Sequence, residues 1–361
     1  MNTFLVKTTV LVIIVLYSTT IQAQYMGRAT YKQLTNDDFK EVVSLQSDTL
    51  DVISGKLIRP VKMNLLGHYL VISDISAQKN IHIVDIKENK YLGGFIDIGS
   101  GPDELSSQWG LSKSSDSTFI VSDTYYKKFL GFNINELLTT GKSFIRGEID
   151  KEDIPYFFDY NEDKNSLLYA GHLTNEFRLH EKDLDSGTIS GYGELLKDPT
   201  GKSDEIKVRN FLSVANISSN RSYFAFAYIF APMVEVFDYQ KKETKTVLLP
   251  DNKEPTYYAR EEEEVLSVGA GRDATLEFDD ITMSENYIYA LYTRRKMKNL
   301  NSGKSRVYVF DYKLNPIKIY NLDRYIQFFD VDNDNVIYGL HTERLGSESD
   351  KQKVFIYNLK H

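Results

Sequence analysis

Short apolar runs separated by polar gaps recur in pairs along most of the chain. The pairs are Tyr69–Asp74 with Ile81–Asp85, Phe119–Asp123 with Phe129–Asn133, and Leu167–Ala170 with Phe177–His180. They continue with Tyr223–Tyr228 and Val234–Asp238, Tyr287–Tyr292 and Arg306–Asp311, and Val336–Leu340 and Lys353–Asn358. Runs of this length, rich in Val, Ile, Tyr and Phe and bounded by turn formers, read as strands. Their starts repeat every 50 to 60 residues or so, the period of a propeller blade. A third strand follows most pairs, as at Tyr91–Ile98 and Thr246–Leu249, and a shorter inner strand precedes most. The inner strands are expected at Phe157–Tyr160, Phe211–Ala215, Ile281–Met283 and Phe328–Val331.

The predicted fold is therefore all-β: a six-bladed β-propeller with four antiparallel strands per blade. Closing the ring hides the edges that a linear stack would leave open. The sixth unit lacks an outer strand, because the chain ends at His361. Glu41–Leu45 reads as a strand and is expected to complete the last blade beside Val354–Leu359. Two segments depart from the pattern. Glu254–Ser267, with its run of four Glu, is expected as a surface helix or loop, and Arg294–Lys304 as a basic insertion in blade five.

The first residues do not belong to this pattern. Lys7, the apolar run Thr8–Tyr17 and the small residues up to Ala23 have the layout of a signal peptide, giving 1–23 as leader and 24–361 as one domain. The expected location is the periplasm or the exterior. The 361 residues are 42% hydrophobic and 13% aromatic, enough for a large core. A net charge of -8 argues against a nucleic-acid partner. Cysteine is absent, which excludes disulfides, thiolate chemistry and a lipid anchor on Cys.

Gly99-Ser-Gly101-Pro102-Asp103-Glu104 follows the first unit. With the six Tyr- and Phe-rich repeats, it resembles the TolB-like six-bladed propeller proteins of Bacteroidetes, whose motif at this place is Gly-x-Gly-Pro-Gly-Glu. Asp103 stands where that pattern has its last Gly. The resemblance spans nearly the whole mature chain and implies the fold; it implies little about activity.

Three Gly-x-Gly sequences, at 99–101, 191–193 and 269–271, are expected to turn the chain between blades, on one face of the ring. Polar residues near this face make up the candidate ligand set: Asp103, Glu104, His172, Arg272, Asp273 and His341, with Gly99, Gly101 and Pro102 shaping the loop. Tyr125 and Tyr126 add an aromatic rim suited to a protein or glycan partner in the cell envelope. Asp74 and Asp123 read as strand-ending turn residues. Asp330–Asn335 imitates the start of a calcium loop but lacks its Gly and Glu, and reads as a turn in blade six. No His-x-x-x-His pair and no Gly-x-Ser-x-Gly elbow is present, so no cofactor, metal or catalytic residue is assigned. The leading expectation is an exported binding or scaffold protein acting through the glycine-loop face. The alternative is a lyase or hydrolase, possibly metal-dependent, with its site at the channel mouth.

Overall fold

The computed structural model describes residues 31–75, 78–106, 108–149, 154–172, 177–194, 215–250, 257–262, 265–270, 273–298, 305–343 and 351–359. Six antiparallel sheets follow one another along the chain. Blade 1 holds Pro60–Leu66, Tyr69–Asp74, Lys79–Asp85 and Lys90–Asp97 in simple order from the axis outward. Blade 2 runs from Gln108–Lys113 to Ile145–Glu148, blade 3 from Ile154–Asn161 to Ile189–Glu194, and blade 4 from Ala215–Ser219 to Glu243–Leu248. Blade 5 runs from Thr275–Met283 to Pro316–Leu322, and blade 6 supplies Phe328–Asp332, Val336–Glu343 and Lys351–Asn358. The core lies between blades. Blade 1 and blade 2 pack through Val71, Ile83, Phe119 and Phe132, and blade 5 meets blade 6 through Leu291, Val309, Phe329 and Tyr357.

The recurrent strand-ending acids have two structural jobs. Those closing a third strand nucleate the tight turn that follows: Asp85 accepts the Glu88 N–H, Asp238 those of Gln240 and Lys241, and Asp311 those of Lys313 and Asn315. Asn133 accepts from Asn135 and so caps the short helix Ile134–Thr140, which Gly141 ends with φ 72°. Those closing a second strand hold the chain as it crosses from blade to blade. Asp74 accepts from Ile58 and Arg59, and Asp123 from Ser106, Tyr125 and Tyr126. The expected turn is formed by Asn333–Asn335, with Asn333 and Asp334 at positive φ, while residues 330–332 belong to the inner strand before it.

The last blade is completed from the N-terminal region, as expected, but the strand that does so is Asp48–Leu50, antiparallel to Val354–Ile356. Glu41–Leu45 does not pair beside Val354–Leu359; it lies parallel to Pro316–Leu322 as a fifth strand outside blade 5. Tyr31–Gln33 does the same for blade 4. The N-terminal segment is thus a strap over three successive blades. It is fastened by Leu34 and Phe39, buried against Val247, Tyr308 and Phe310, and by a 2.9 Å ion pair between Lys318 and Glu41. The reason for the shift is reach: two of its strands extend finished sheets before the third arrives at the unfinished one.

Three other expectations change. Within Glu254–Ser267 the described residues are strand and not helix: Tyr257–Glu262 pairs with Val265–Ala270 as a separate two-stranded sheet, consistent with the Tyr and Val residues on either side of the Glu run. The described inner strand of blade 4 is Ala215–Ser219, which runs on past the expected end at Ala215; residues 211–214 lie outside the described residues. Gly191 and Gly193 lie within the outer strand of blade 3 and not in a loop; Gly99–Gly101 does form a loop between blades, and Gly269 lies in the separate two-stranded sheet inserted between blades 4 and 5, with Gly271 outside the described residues. The signal segment 1–23 lies outside the described residues.

The strap yields a truncation test. A chain beginning at residue 47 keeps the strand that closes blade 6 and is expected to retain its β circular dichroism with a lowered melting temperature. A chain beginning at residue 52 loses Leu50 and the closing strand and is expected to lose cooperative unfolding. Equal stability of the two would show that Asp48–Leu50 does not close the ring.

Candidate functional site

Of the residues singled out from the sequence, Asp103, Glu104, Asp273 and His341 have described side chains, and each turns to partners of its own. Asp103 accepts from the Ser143 N–H (3.1 Å) and hydroxyl (2.5 Å), with Arg146 at 3.7 Å. Burial pushes its carboxyl up, but these partners together outweigh that and leave its pKa lowered. Glu104 folds back to accept from the Gly101 N–H at 2.8 Å, while Lys128 donates to the Gly101 carbonyl at 2.8 Å. The glycines are needed for this: a Cβ on Gly99 would stand 2.0 Å from a Glu104 carboxylate oxygen. The motif is a self-satisfied loop. Pro102 lies at its tip, between the two contacts. Asp273 is exposed and paired with Lys298 at 2.6 Å, which lowers its pKa. His341 sits in blade 6 beside the rings of Tyr325 and Phe355. His172 ends the second strand of blade 3, but its side chain lies outside the described set, as does Arg272. Among the described residues no cluster of three or more His, Cys, Asp or Glu could hold a metal ion.

The concave site lies elsewhere. A cavity of about 490 Å³ runs along the ring axis, lined by inner-strand residues of all six blades. Its rim is built by the first turns of the blades, at Ser115, Asp116, Asn220, Arg221, Ser284, Glu285 and Asn333. Strand directions alternate within a blade, so these turns are on the face opposite the crossings between blades. The cavity therefore opens away from the face expected from the glycines.

Its chemistry follows from a sheet problem. The innermost strand of each blade has one edge with no neighbour, and its buried N–H groups need acceptors. Side chains of the preceding blade supply them. Ser112 accepts from the Phe158 N–H (3.0 Å), Ser114 from Tyr160 (3.0 Å), Asp280 from Phe329 (3.1 Å), and Asp330 from Leu65 (2.7 Å). Thr282 adds a 2.5 Å bond to Asp330, and Lys62 of blade 1 pairs with buried Asp280 across the axis. Burial raises the pKa of Asp280, against the pull of Lys62.

Asp159 joins three blades. It is 2% exposed and accepts from Ser219 (2.8 Å) and Ser114 (3.2 Å), with Arg221 Nε at 3.9 Å. Arg221 in turn donates to the carbonyls of Ser114 and Tyr160. Burial is the largest influence on Asp159 and raises its pKa to about 6, although its three partners oppose it. Asp159 and Asp330 lie inside inner strands recognised from the sequence, but their role there escaped notice. The available signal was one polar residue in the middle of a short, otherwise apolar strand, repeated from unit to unit.

Two outcomes are expected. Gly99→Ala displaces the Glu104 carboxylate and costs about 1.5–3 kcal/mol, the worth of a charged hydrogen bond. In a Glu104→Ala background the same change is expected to cost little, a coupling that a double-mutant cycle in urea measures. Asp159 binds its proton more tightly folded than unfolded, so its contribution to stability rises as pH falls from about 6 towards 4. A shift of this size corresponds to at most about 3 kcal/mol. Asp159→Asn is expected to remove that part of the pH dependence in urea titrations between pH 7 and 4.

The chain's relatives agree with this architecture. A family model described as TolB-like 6-blade propeller-like matches residues 38–334. A solved structure of a DUF4221-family protein from Bacteroides vulgatus superimposes with a TM-score of 0.55 at 12% identity, covering 87% of this chain and 97% of the other. A Bacteroides fragilis protein, provisionally described as exported, gives 0.52 at 12% identity, covering 89% and 100%. At such identity these likenesses show the fold alone. No curated protein matches the sequence.

Proposed function

Since the chain belongs to the TolB-like six-bladed propeller family, we propose that it is an exported binding protein that holds a small polar ligand in its axial cavity. The observation that carries this reading is the cavity itself: about 490 Å³, within the range of small-molecule sites, and walled by rigid strands from every blade. Export rests on the leader-like residues 1–23. No helix among the described residues is long and apolar enough to cross a membrane.

A second surface fits a macromolecular partner. Tyr125 and Tyr126 stand 73% and 43% exposed on the opposite face, their rings 5.0 Å apart, with Lys128 over Tyr126. Exposed aromatics of this kind suit a protein or glycan contact in the envelope.

The cavity reading is tested by screening small polar metabolites for a rise in melting temperature. At least one ligand is expected to raise it, and Ser218→Trp, which fills the channel wall at a residue with no hydrogen bond to lose, is expected to abolish the rise while keeping the β spectrum. Ligands that stabilise both forms equally would place binding outside the channel.

A further inference from the structure

Two tyrosines form an open corner where blades 3 and 4 meet. Tyr192 comes from the outer strand of blade 3, and Tyr239 from the turn after the third strand of blade 4. Their rings stand at 78° with centroids 5.3 Å apart, and both pack on the core between the two blades. Both hydroxyls donate to one carboxylate, Glu181. Burial pushes that carboxyl up, but Tyr239, Ser166, Lys164 and Tyr192 together outweigh it and leave its pKa lowered. A hydroxyl bonded to a carboxylate enriches its ring in electrons, so the corner presents two negative faces. A cation already sits there. The Lys242 ammonium lies 3.6 Å from the Tyr192 centroid and 3.4 Å from that of Tyr239. Lys164 stands farther off, 5.4 Å from the Tyr239 centroid and 3.9 Å from Glu181.

The corner suits a different cation better than the one it holds. Among the described residues the two rings are the contacts of the Lys242 ammonium, with no hydrogen-bond acceptor or ion-pair partner. Its pKa is lowered because the corner strips water from the ammonium, against the pull of Glu181. A primary ammonium is strongly hydrated and has three N–H groups that ring faces satisfy poorly. A quaternary ammonium has no N–H, holds water weakly and lays its C–H groups on the rings. The lysine is also placed at a cost in backbone. Lys242 has φ 57°, and four residues after the acid that opens the turn, the same place in blades 1 and 3 holds Asn89 and Gly187. Those types take this conformation readily and lysine does not. Its side chain leaves from an exposed turn, so it can swing back into water.

From these observations we infer that the Tyr192–Tyr239 corner is a binding site for a quaternary ammonium group of the choline type, with Lys242 as its displaceable occupant. None of these residues lines the axial cavity, so this site stands or falls independently of the reading above.

The experiment is isothermal titration of the purified protein and of Lys242→Ala with choline. Ethanolamine serves as the primary-ammonium counterpart, and dimethylbutanol as the uncharged isostere with carbon in place of nitrogen. Choline is expected to bind Lys242→Ala saturably, tenfold or more tighter than ethanolamine, with no binding of the isostere. The parent is expected to bind choline about tenfold more weakly than Lys242→Ala, because the tethered lysine competes. Adding Tyr192→Leu to Lys242→Ala is expected to weaken binding tenfold or more, whereas Tyr192→Phe, which keeps the ring, retains most of it. No saturable choline binding to Lys242→Ala, or binding unchanged by Tyr192→Leu, would overturn the site. Equal binding of ethanolamine or of the isostere would overturn the quaternary ammonium class, and equal choline affinity of parent and Lys242→Ala would overturn the role of Lys242. Sedimentation of Lys242→Ala with phosphatidylcholine vesicles, reversed by choline, would support the site and assign the group to a lipid headgroup; choline binding without sedimentation would support it and assign the group to a free solute.

Discussion

Six twisted sheets set around an axis leave the inner edge of every first strand without a neighbour, and satisfying that edge is the constraint on which the ring depends. A buried backbone N–H with no acceptor costs as much as a lost hydrogen bond. The chain meets the demand with polar side chains on the inner strands of blades 2, 3, 5 and 6, directed at the next blade. Ser112, Asp280 and Asp330 each accept a backbone N–H across the gap, while Asp159 does the equivalent through Ser219. These bonds set the angular spacing of the blades near the axis, and apolar packing fills the wedge farther out. Carboxylates can serve at such depth only because each is surrounded by donors.

The same concern with unpaired edges explains the perimeter. Blade 6 reaches its end one strand short, and the N-terminal segment supplies the missing Asp48–Leu50. That the same segment first adds parallel strands to blades 4 and 5 shows how a chain without cysteine fastens a ring. The closure is distributed over three sheets instead of concentrated in one covalent bond. Between blades 3 and 4 a buried ion pair, Arg178 with Glu235 at 2.8 Å, lies under the rings of Phe226 and Tyr228 and joins their third strands.

These requirements also shape the site. The side chains that satisfy the inner edges are the ones that line the axial cavity, so structure and ligand chemistry draw on one set of residues. The glycine-rich loop shows the converse. Glu104 and Asp103 look reactive in the sequence, yet both are fully engaged in holding the loop to blade 2 and to itself.

The sequence by itself determined the fold. Alternating apolar runs of strand length, repeated six times with acids at their ends, permit little besides a closed ring of sheets, because strand periodicity and turn chemistry are local properties. It also showed that the last blade would borrow a strand from the N-terminal region. Tertiary structure decided which strand: by composition Glu41–Leu45 is the better strand former, and only the distance around the ring gives the closing place to the shorter Asp48–Leu50. It alone decided the site as well. Asp103, Glu104, Asp273 and His341 stood out by type and spacing, but each turns to local partners, the first two within one loop. Lys62, Asp159 and Asp330 lie far apart in the chain and carry no shared motif. They face one cavity only because closing the ring brings the middle of every inner strand to the same axis.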